Sequence, residues 1–204
     1  QVKAGYNRPE NKAGLTPMEQ LNEISKVCHK LLSEQDDTYL ELLTPLLTKE
    51  HISIVSIEEI TKTDLEFLEQ QFNEHIFPVL TPMAVDAYRP FPMLLNKSLN
   101  LAITIKDKHS NTMEAERLAI VQVPSVINRY LELPNQNEVR SFVLLEQVIS
   151  HFIHKLFVGF QVMSVTVFRI TRNADLTIHE DGAEDLLQEI EEELKKRKRG
   201  AAVR

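Results

Sequence analysis

The pattern of apolar and polar positions predicts a long helical segment near the start of the chain. Thr16 has the position of an N-cap residue, and Glu19 stands where it would close a capping box. Apolar residues then recur every three or four positions as far as Leu31, and this stripe includes Cys28. We therefore expect Cys28 to lie in a buried helix face rather than to act as a reactive thiol.

A second apolar stripe predicts another helix that begins near Asp36 or Asp37. Pro45 should kink or split this helix, because proline lacks an amide N–H and clashes with the preceding turn. Two helices joined by a short polar loop would form a helical hairpin. A hairpin of this size buries little apolar surface by itself, so we expect residues 1–50 to be part of a larger helical domain.

Residues 51–204 combine strand and helix patterns. Alternating or doubly apolar segments predict strands at residues 51–57, 99–105, 117–123, 130–133, 141–143 and 163–170. Helical periodicity predicts helices from Thr61 or Thr63 to the residue before Pro78, over 145–157 and over 181–199. Hairpin-sized spacings between strands favour an α+β fold, with a mixed, mainly antiparallel sheet and helices packed against it.

A proline-rich segment at residues 77–92 joins the first of these helices to the strand at 99–105. It holds Pro78, Pro82, Pro90 and Pro92, four of the nine prolines in the chain. Prolines exclude a continuous helix or a central strand here. The residues between them are largely apolar, which a solvated linker would not be. We therefore expect a stiff, ordered connector that lies across a hydrophobic core.

Composition and charge narrow the function classes. The 204 residues are 43% hydrophobic, which is enough for one good core, and the formal net charge is −7. This charge disfavours nonspecific binding of nucleic acid. A single cysteine excludes an internal disulfide and suits a reducing, cytoplasmic compartment. The chain opens on Gln1 without Met and ends at Arg204 after a resumed apolar pattern, so we expect a piece of a longer protein.

Motifs for catalysis and metal binding are weak. His151 and His154 lie three residues apart, but Lys155 beside them would repel a cation, so we expect surface histidines on an amphipathic helix. The sequence contains neither a glycine-rich phosphate loop nor a nucleophile elbow. We therefore assign no catalytic, cofactor-binding or metal-binding residue in this chain.

Two groups of basic residues are candidate phosphate or interface contacts. Arg169 and Arg172 at the end of a strand could bind a phosphate or a partner's carboxylate, although an internal ion pair with Asp175 is favoured. Lys195, Lys196 and Arg197 begin the densest positive run. Glu189 and the glutamates at 191–193 occupy the preceding turns of the same predicted helix. A favourable interaction with the helix dipole and with these carboxylates is therefore the favoured explanation of the run, and a polyphosphate contact is the lesser alternative.

Several short motifs are distinctive: FPVLTP at 77–82, Asp86, PFP at 90–92, NKSLNL at 96–101, VPSV at 123–126 and the segment 168–175. Together they resemble the head domain of the bacterial polyphosphate kinases of the histidine-phosphorylated class. The resemblance implies that residues 1–50 are the C-terminal part of a helical N-terminal domain. It also implies that residues 51–204 are the head, or middle, domain.

The resemblance further implies that the parent enzyme transfers the terminal phosphate of ATP to a growing polyphosphate chain through a phosphohistidine, with Mg²⁺ assisting. None of the seven histidines matches the phosphorylated one, so this piece is expected to be a non-catalytic scaffold. Its expected partners are the rest of the chain and a second copy in a homodimer, with ATP and polyphosphate bound by the parent. The parent is expected in the cytoplasm, with peripheral membrane association left open. The alternatives are a stand-alone protein-interaction module and a polyanion-binding domain.

Overall fold

The computed structural model describes residues 5, 8–9, 14–85, 91–108, 116–134, 138–173 and 200–203. The chain divides into two compact units. The smaller unit contains Gln1–Ser53 with Asn137–Arg140, and the larger contains Ile54–Gln136 with Ser141–Arg204. No helix within the described ranges is both long enough and apolar enough to cross a membrane.

The smaller unit is built on one continuous helix rather than on the predicted hairpin. Helix α1 (Pro17–Asp37) passes through a π-helical turn (Thr38–Leu43) directly into helix α2 (Thr44–Lys49). The N–H and the hydroxyl of Thr44 both donate to the carbonyl of Tyr39, five residues earlier, the hydroxyl at 2.9 Å. This wider turn accommodates Pro45, which cannot supply a helical hydrogen bond of its own, so the helix continues where a break was expected.

Helix α1 begins as predicted but exposes the face that was expected to be buried. The N–H of Thr16 donates to a carboxylate oxygen of Glu19 at 2.8 Å, and the N–H of Glu19 donates back to the Thr16 hydroxyl at 3.4 Å, which completes the capping box. Cys28 is exposed, and Ile24 on the same stripe is 58% exposed. The prediction of a buried Cys28 is therefore wrong, because nothing among the described residues of this unit covers the stripe.

Seven strands are described: β1 (Ile52–Ile54), β2 (Pro82–Val85), β3 (Leu99–Asp107), β4 (Glu116–Gln122), β5 (Tyr130–Glu132), β6 (Arg140–Leu144) and β7 (Phe160–Arg169). Four of them form a sheet of order β2-β4-β3-β7 in the larger unit, and every pairing in it is antiparallel. A second, three-stranded sheet has the order β1-β6-β5, in which β5 and β6 form an antiparallel hairpin. The predicted β3–β4 and β5–β6 pairs are confirmed, whereas β1 is shorter than the predicted strand at 51–57.

Helices cover the sheet and complete the core of the larger unit. Helix α3 (Lys62–Gln71) continues through a π-helical segment (Phe72–Ile76) into a 3-10 turn (Phe77–Val79), and α4 (Leu145–Phe152) continues into a 3-10 turn (Ile153–Lys155). The side chains that pack together are fully or almost fully buried; they include Leu68, Phe72, Leu101, Ile103, Val148, Ile149 and Phe152. The predicted α+β fold is confirmed. The predicted helix over 181–199 lies outside the described residues.

The proline-rich segment is more exposed and more regular than predicted. Of the apolar residues described in it, only Leu80 is buried, whereas Phe77, Val79 and Phe91 are 42%, 46% and 48% exposed. Pro82 opens β2, which is an edge strand of the sheet. Proline is tolerated there because the first residue of an edge strand need not donate to a neighbour. The expectation of a connector buried across the core was therefore wrong for most of its described length. Residues 86–90 lie outside that length.

Candidate functional site

The topology of the larger sheet brings three separate chain segments to one of its ends. β3 lies between β4 and β7 and is antiparallel to both, so the start of β3 adjoins the ends of its two neighbours. Leu99 pairs with Arg169, and Asn100 pairs with Gln122. The loop before β3, the loop after β4 and the last residue of β7 therefore meet.

These segments enclose a groove of about 550 Å³. Three cationic side chains line it, Lys97, Arg129 and Arg169, together with the hydroxyls of Ser98 and Ser125. We call it the cationic groove. Among the described residues that line it, none carries a carboxylate, although the chain as a whole has a formal net charge of −7. The groove therefore concentrates positive charge on an otherwise acidic protein.

A rigid turn presents Lys97 to this groove. Its φ is +62°, in the left-handed region that non-glycine residues seldom adopt. The Lys97 N–H donates to the carbonyl of Ile170 at 2.8 Å, and Arg169 Nη1 donates to the Lys97 carbonyl at 3.2 Å. The backbone of Lys97 is thus held from both sides by the end of β7, while its side chain stays exposed.

The buried side-chain amide of Asn100 fixes the position of Ser98, the residue after Lys97. Asn100 is fully buried, and its Nδ2 donates to the carbonyl of Ser98 at 2.8 Å and to the Ser98 hydroxyl at 3.0 Å. The Ser98 hydroxyl in turn donates to the carbonyl of Leu95 at 2.8 Å. These bonds determine the course of residues 95–98 and leave the loop little freedom to rearrange.

Arg129 is oriented by a carboxylate behind the groove. Its Nε donates to the two carboxylate oxygens of Glu146 at 3.0 and 3.2 Å, and its Nη2 also bonds this carboxylate. Glu146 is 4% exposed. The N–H of Leu145 donates to the Arg129 carbonyl at 2.7 Å, which ties the loop to the start of α4. Glu146 offsets the charge of Arg129, so Lys97 and Arg169 supply the net positive charge of the groove.

The two arginines that the sequence grouped together have different environments. Arg169 lines the groove and is exposed. Arg172 binds backbone instead: its Nε donates to the carbonyl of Leu94 at 3.0 Å and its Nη1 to the carbonyl of Gly200 at 2.9 Å. Arg172 therefore holds chain segments together. Its predicted partner Asp175, like Lys195, Lys196 and Arg197, lies outside the described residues.

Sequence reasoning missed Lys97 and Arg129 as partners of Arg169. Lys97 is more than seventy positions from Arg169 along the chain, and only the antiparallel register of β3 and β7 brings them together. The available signal was a basic residue directly before a predicted strand. That signal identifies no partner until the order of strands in the sheet is known.

The two histidines considered for metal binding are exposed and lie beside a basic residue. Lys155 Nζ bonds Glu69 at 2.6 Å and Asn73 at 3.0 Å, and it lies 5.1 Å from the ring centroid of Phe152. The hydrogen bond from Lys155 and its charge lower the pKa of Glu69, with smaller contributions from His154 and His151. In the described ranges, no group of three or more His, Cys, Asp or Glu is placed to hold a metal ion.

Comparison with known proteins gives consistent matches over the whole chain. The family model of the polyphosphate kinase middle domain matches residues 63–204, and that of the polyphosphate kinase N-terminal domain matches residues 1–55. The chain is 61% identical over 204 residues to the polyphosphate kinase of Halalkalibacterium halodurans and 58% identical over 205 residues to that of Bacillus cereus. All of the chain is covered in both comparisons, but it spans only 29% of each relative.

A solved structure has the same fold. The crystal structure of the polyphosphate kinase from Porphyromonas gingivalis matches with a TM-score of 0.64 and 21% sequence identity. The match covers 88% of this chain and 30% of that one. The fold described above is therefore shared with part of a much longer chain.

Proposed function

Because the chain belongs to the polyphosphate kinase family, we propose that it is the part of such an enzyme in which the helical N-terminal domain ends and the middle domain follows. The match of the middle-domain model to residues 63–204 carries this proposal. We assign residues 1–50 to the C-terminal part of the N-terminal domain and residues 51–204 to the head, or middle, domain.

In the parent enzyme, the terminal phosphate of ATP passes through a phosphohistidine to the growing polyphosphate chain, with Mg²⁺ assisting. The chain spans about 29% of the relatives' length, and we place the reacting residues in the remainder. A cytoplasmic location is part of the same proposal.

The role of this part is that of a non-catalytic scaffold that contributes to a homodimer. Large apolar side chains of the larger unit are half-exposed over two neighbouring stretches of sequence: Phe77, Val79, Phe91, Met93 and Leu95, at 42–60%. Contiguous exposed apolar patches are characteristic of surfaces that contact other protein, and these five side chains are the candidate residues for such a surface. The rest of the chain and a second copy are the partners that fit the proposed function.

An activity assay tests whether the reacting residues lie outside the 204-residue chain. The 204-residue chain and the full-length enzyme that contains it would be purified, and ATP-dependent polyphosphate synthesis would be measured in both. Only the full-length enzyme is expected to be active. Turnover by the 204-residue chain, abolished when one of its histidines is replaced, would refute the scaffold assignment.

Sedimentation analysis of the full-length enzyme tests the dimer separately. A mass of two chains is expected at the concentrations used for the activity assay. A single chain with full activity would remove dimerisation from the proposal while leaving the catalytic assignment in place.

A second candidate function is a polyanion-binding domain, which the cationic groove favours. Lys97 and Arg169 give this surface a charge opposite to that of the whole chain. Binding of a polyanion by the isolated chain, without any ATP-dependent synthesis by the full-length protein, would favour this candidate over the kinase.

A further inference from the structure

We propose that the cationic groove binds the phosphoryl oxyanions of a linear phosphate chain, with Lys97 and Arg169 as its charged contacts. The inference deepens the proposed function and rests on it for the identity of the ligand. The shared chemistry is a run of phosphoryl groups, which a free polyphosphate and the phosphate tail of ATP both carry.

The charge balance of the groove supports an anionic ligand. Glu146 lies behind Arg129 and offsets it, whereas no carboxylate among the described residues forms a salt bridge with Lys97 or Arg169. Cations at the wall of a concave surface face less solvent than on a convex one, so their field is focused into the groove. The groove therefore attracts anions even though the whole chain would repel them.

The donor geometry suits phosphoryl oxygens in particular. The Arg169 guanidinium is oriented through Nη1, which donates to the Lys97 carbonyl at 3.2 Å, and a planar guanidinium has several further N–H donors for phosphate oxygens. Lys97 adds a flexible point charge from the same turn. Ser125 adds a hydroxyl from the loop after β4. The lining therefore combines charged and neutral donors, which suits a chain of tetrahedral oxyanions.

The size of the groove excludes neither short nor extended phosphate chains. Its volume of about 550 Å³ lies within the range of small-molecule sites. A second groove of about 310 Å³ shares Gln122, Pro124 and Ser125 with it, and none of the described residues that line this second groove is charged. The phosphate chain is therefore expected to lie along the wall formed by Lys97 and Arg169.

A purely structural role accounts less well for Arg169 and Lys97. The structural role at this end of the sheet belongs to Arg172, which is partly buried and binds the carbonyls of Leu94 and Gly200. Arg169 makes one bond to backbone and remains exposed. The Lys97 side chain is also exposed and forms no salt bridge with any described residue. The Lys97 side chain, and the N–H groups of Arg169 other than the one that donates to the Lys97 carbonyl, are therefore available for a ligand.

Equilibrium binding to the full-length enzyme tests the proposal. Tripolyphosphate, long-chain polyphosphate and ATP would each be titrated calorimetrically, without a second substrate, into the unmodified enzyme and into the double variant Lys97→Gln/Arg169→Gln. The matched control is Lys30→Gln/Lys62→Gln, which removes the same charge from two exposed helix positions. Thermal unfolding of every variant would establish that it is folded. If the double variant does not fold, Lys97→Gln alone replaces it, since the described structure uses that side chain for no fold contact.

The groove variant is expected to lose at least about tenfold in affinity for tripolyphosphate. The slope of the logarithm of affinity against the logarithm of salt concentration should fall by about two for long-chain polyphosphate. The control should retain both values. An equal loss for ATP supports a site that binds the phosphate tail of either ligand, and a loss for tripolyphosphate alone supports a site for nucleoside-free chains.

Unchanged affinity for tripolyphosphate, or the same loss in the control, would overturn the proposal. A loss for ATP alone would also overturn it, because tripolyphosphate presents the same phosphoryl groups. Failure of the groove proposal can be distinguished from failure of the proposed function. If the enzyme synthesises polyphosphate at the normal rate and the groove variant binds tripolyphosphate with unchanged affinity, only the groove proposal is refuted. A protein that binds tripolyphosphate through the groove but synthesises none refutes only the kinase assignment.

Discussion

The ion pair between Arg129 and Glu146 should contribute measurably to the stability of the larger unit. Glu146 is almost fully buried and the Arg129 side chain is 44% exposed, with two Nε contacts at 3.0 and 3.2 Å and a further contact from Nη2. A hydrogen bond to a charged group contributes about 1.5–3 kcal/mol to stability, and exposure of one partner reduces this. We therefore expect a coupling free energy of about 2 kcal/mol between the two side chains.

A double-mutant cycle isolates this coupling from the other contacts of each residue. The variants are Arg129→Gln, Glu146→Gln and the double substitution. The free energy of unfolding would be taken from native-state hydrogen exchange of the β3 amides, whose exchange requires the sheet of the larger unit to open. This probe is preferable to a whole-chain signal because the chain has two compact units.

The matched control is the exposed pair of Lys62 and Glu66, which are one helical turn apart at 3.8 Å with side chains 90% and 66% exposed. Its cycle should give about 0.3–0.5 kcal/mol, as exposed pairs do. A coupling between Arg129 and Glu146 no larger than that of the control would show that burial of the carboxylate does not strengthen the pair. Glu146 would then not be the group that holds Arg129 in place.

Three further predictions concern packing, pH and exposure. Phe72→Ala should destabilise the larger unit by about 3–5 kcal/mol in the same exchange assay, because Phe72 is fully buried, whereas Val126→Ala, at a site 84% exposed, should change stability by less than about 0.5 kcal/mol. Since Lys155 holds the pKa of Glu69 below its ordinary value, their contact stabilises the fold at neutral pH and is lost as the pH falls through that lowered pKa. In Lys155→Met, an NMR titration should find the Glu69 pKa raised; an unchanged pKa would contradict the assigned cause. Cys28 should react with a maleimide as fast in the native protein as in urea, and strong native protection would contradict its exposure.

Local patterns in the sequence predicted the structure correctly where it depends on residues that are close together along the chain. The capping box of Thr16 and Glu19 formed as predicted, because both partners lie within one helical turn. The alternation of β3 and the short connection to β4 identified an antiparallel pair for the same reason. Local signals failed at Pro45, where a π-helical turn accommodated a residue that usually interrupts a helix.

The sequence by itself determined the periodicities, and with them the α+β class, the N-caps at Thr16 and Thr61 and the β-hairpins. These features depend on contacts between residues close together in the chain. Only the tertiary structure decided which apolar faces are covered, as the exposed stripe through Cys28 shows, and which charges meet. Lys97, Arg129 and Arg169 share a groove because β3 lies between β4 and β7. That strand order results from packing across the whole sheet, and no local pattern of residues encodes it.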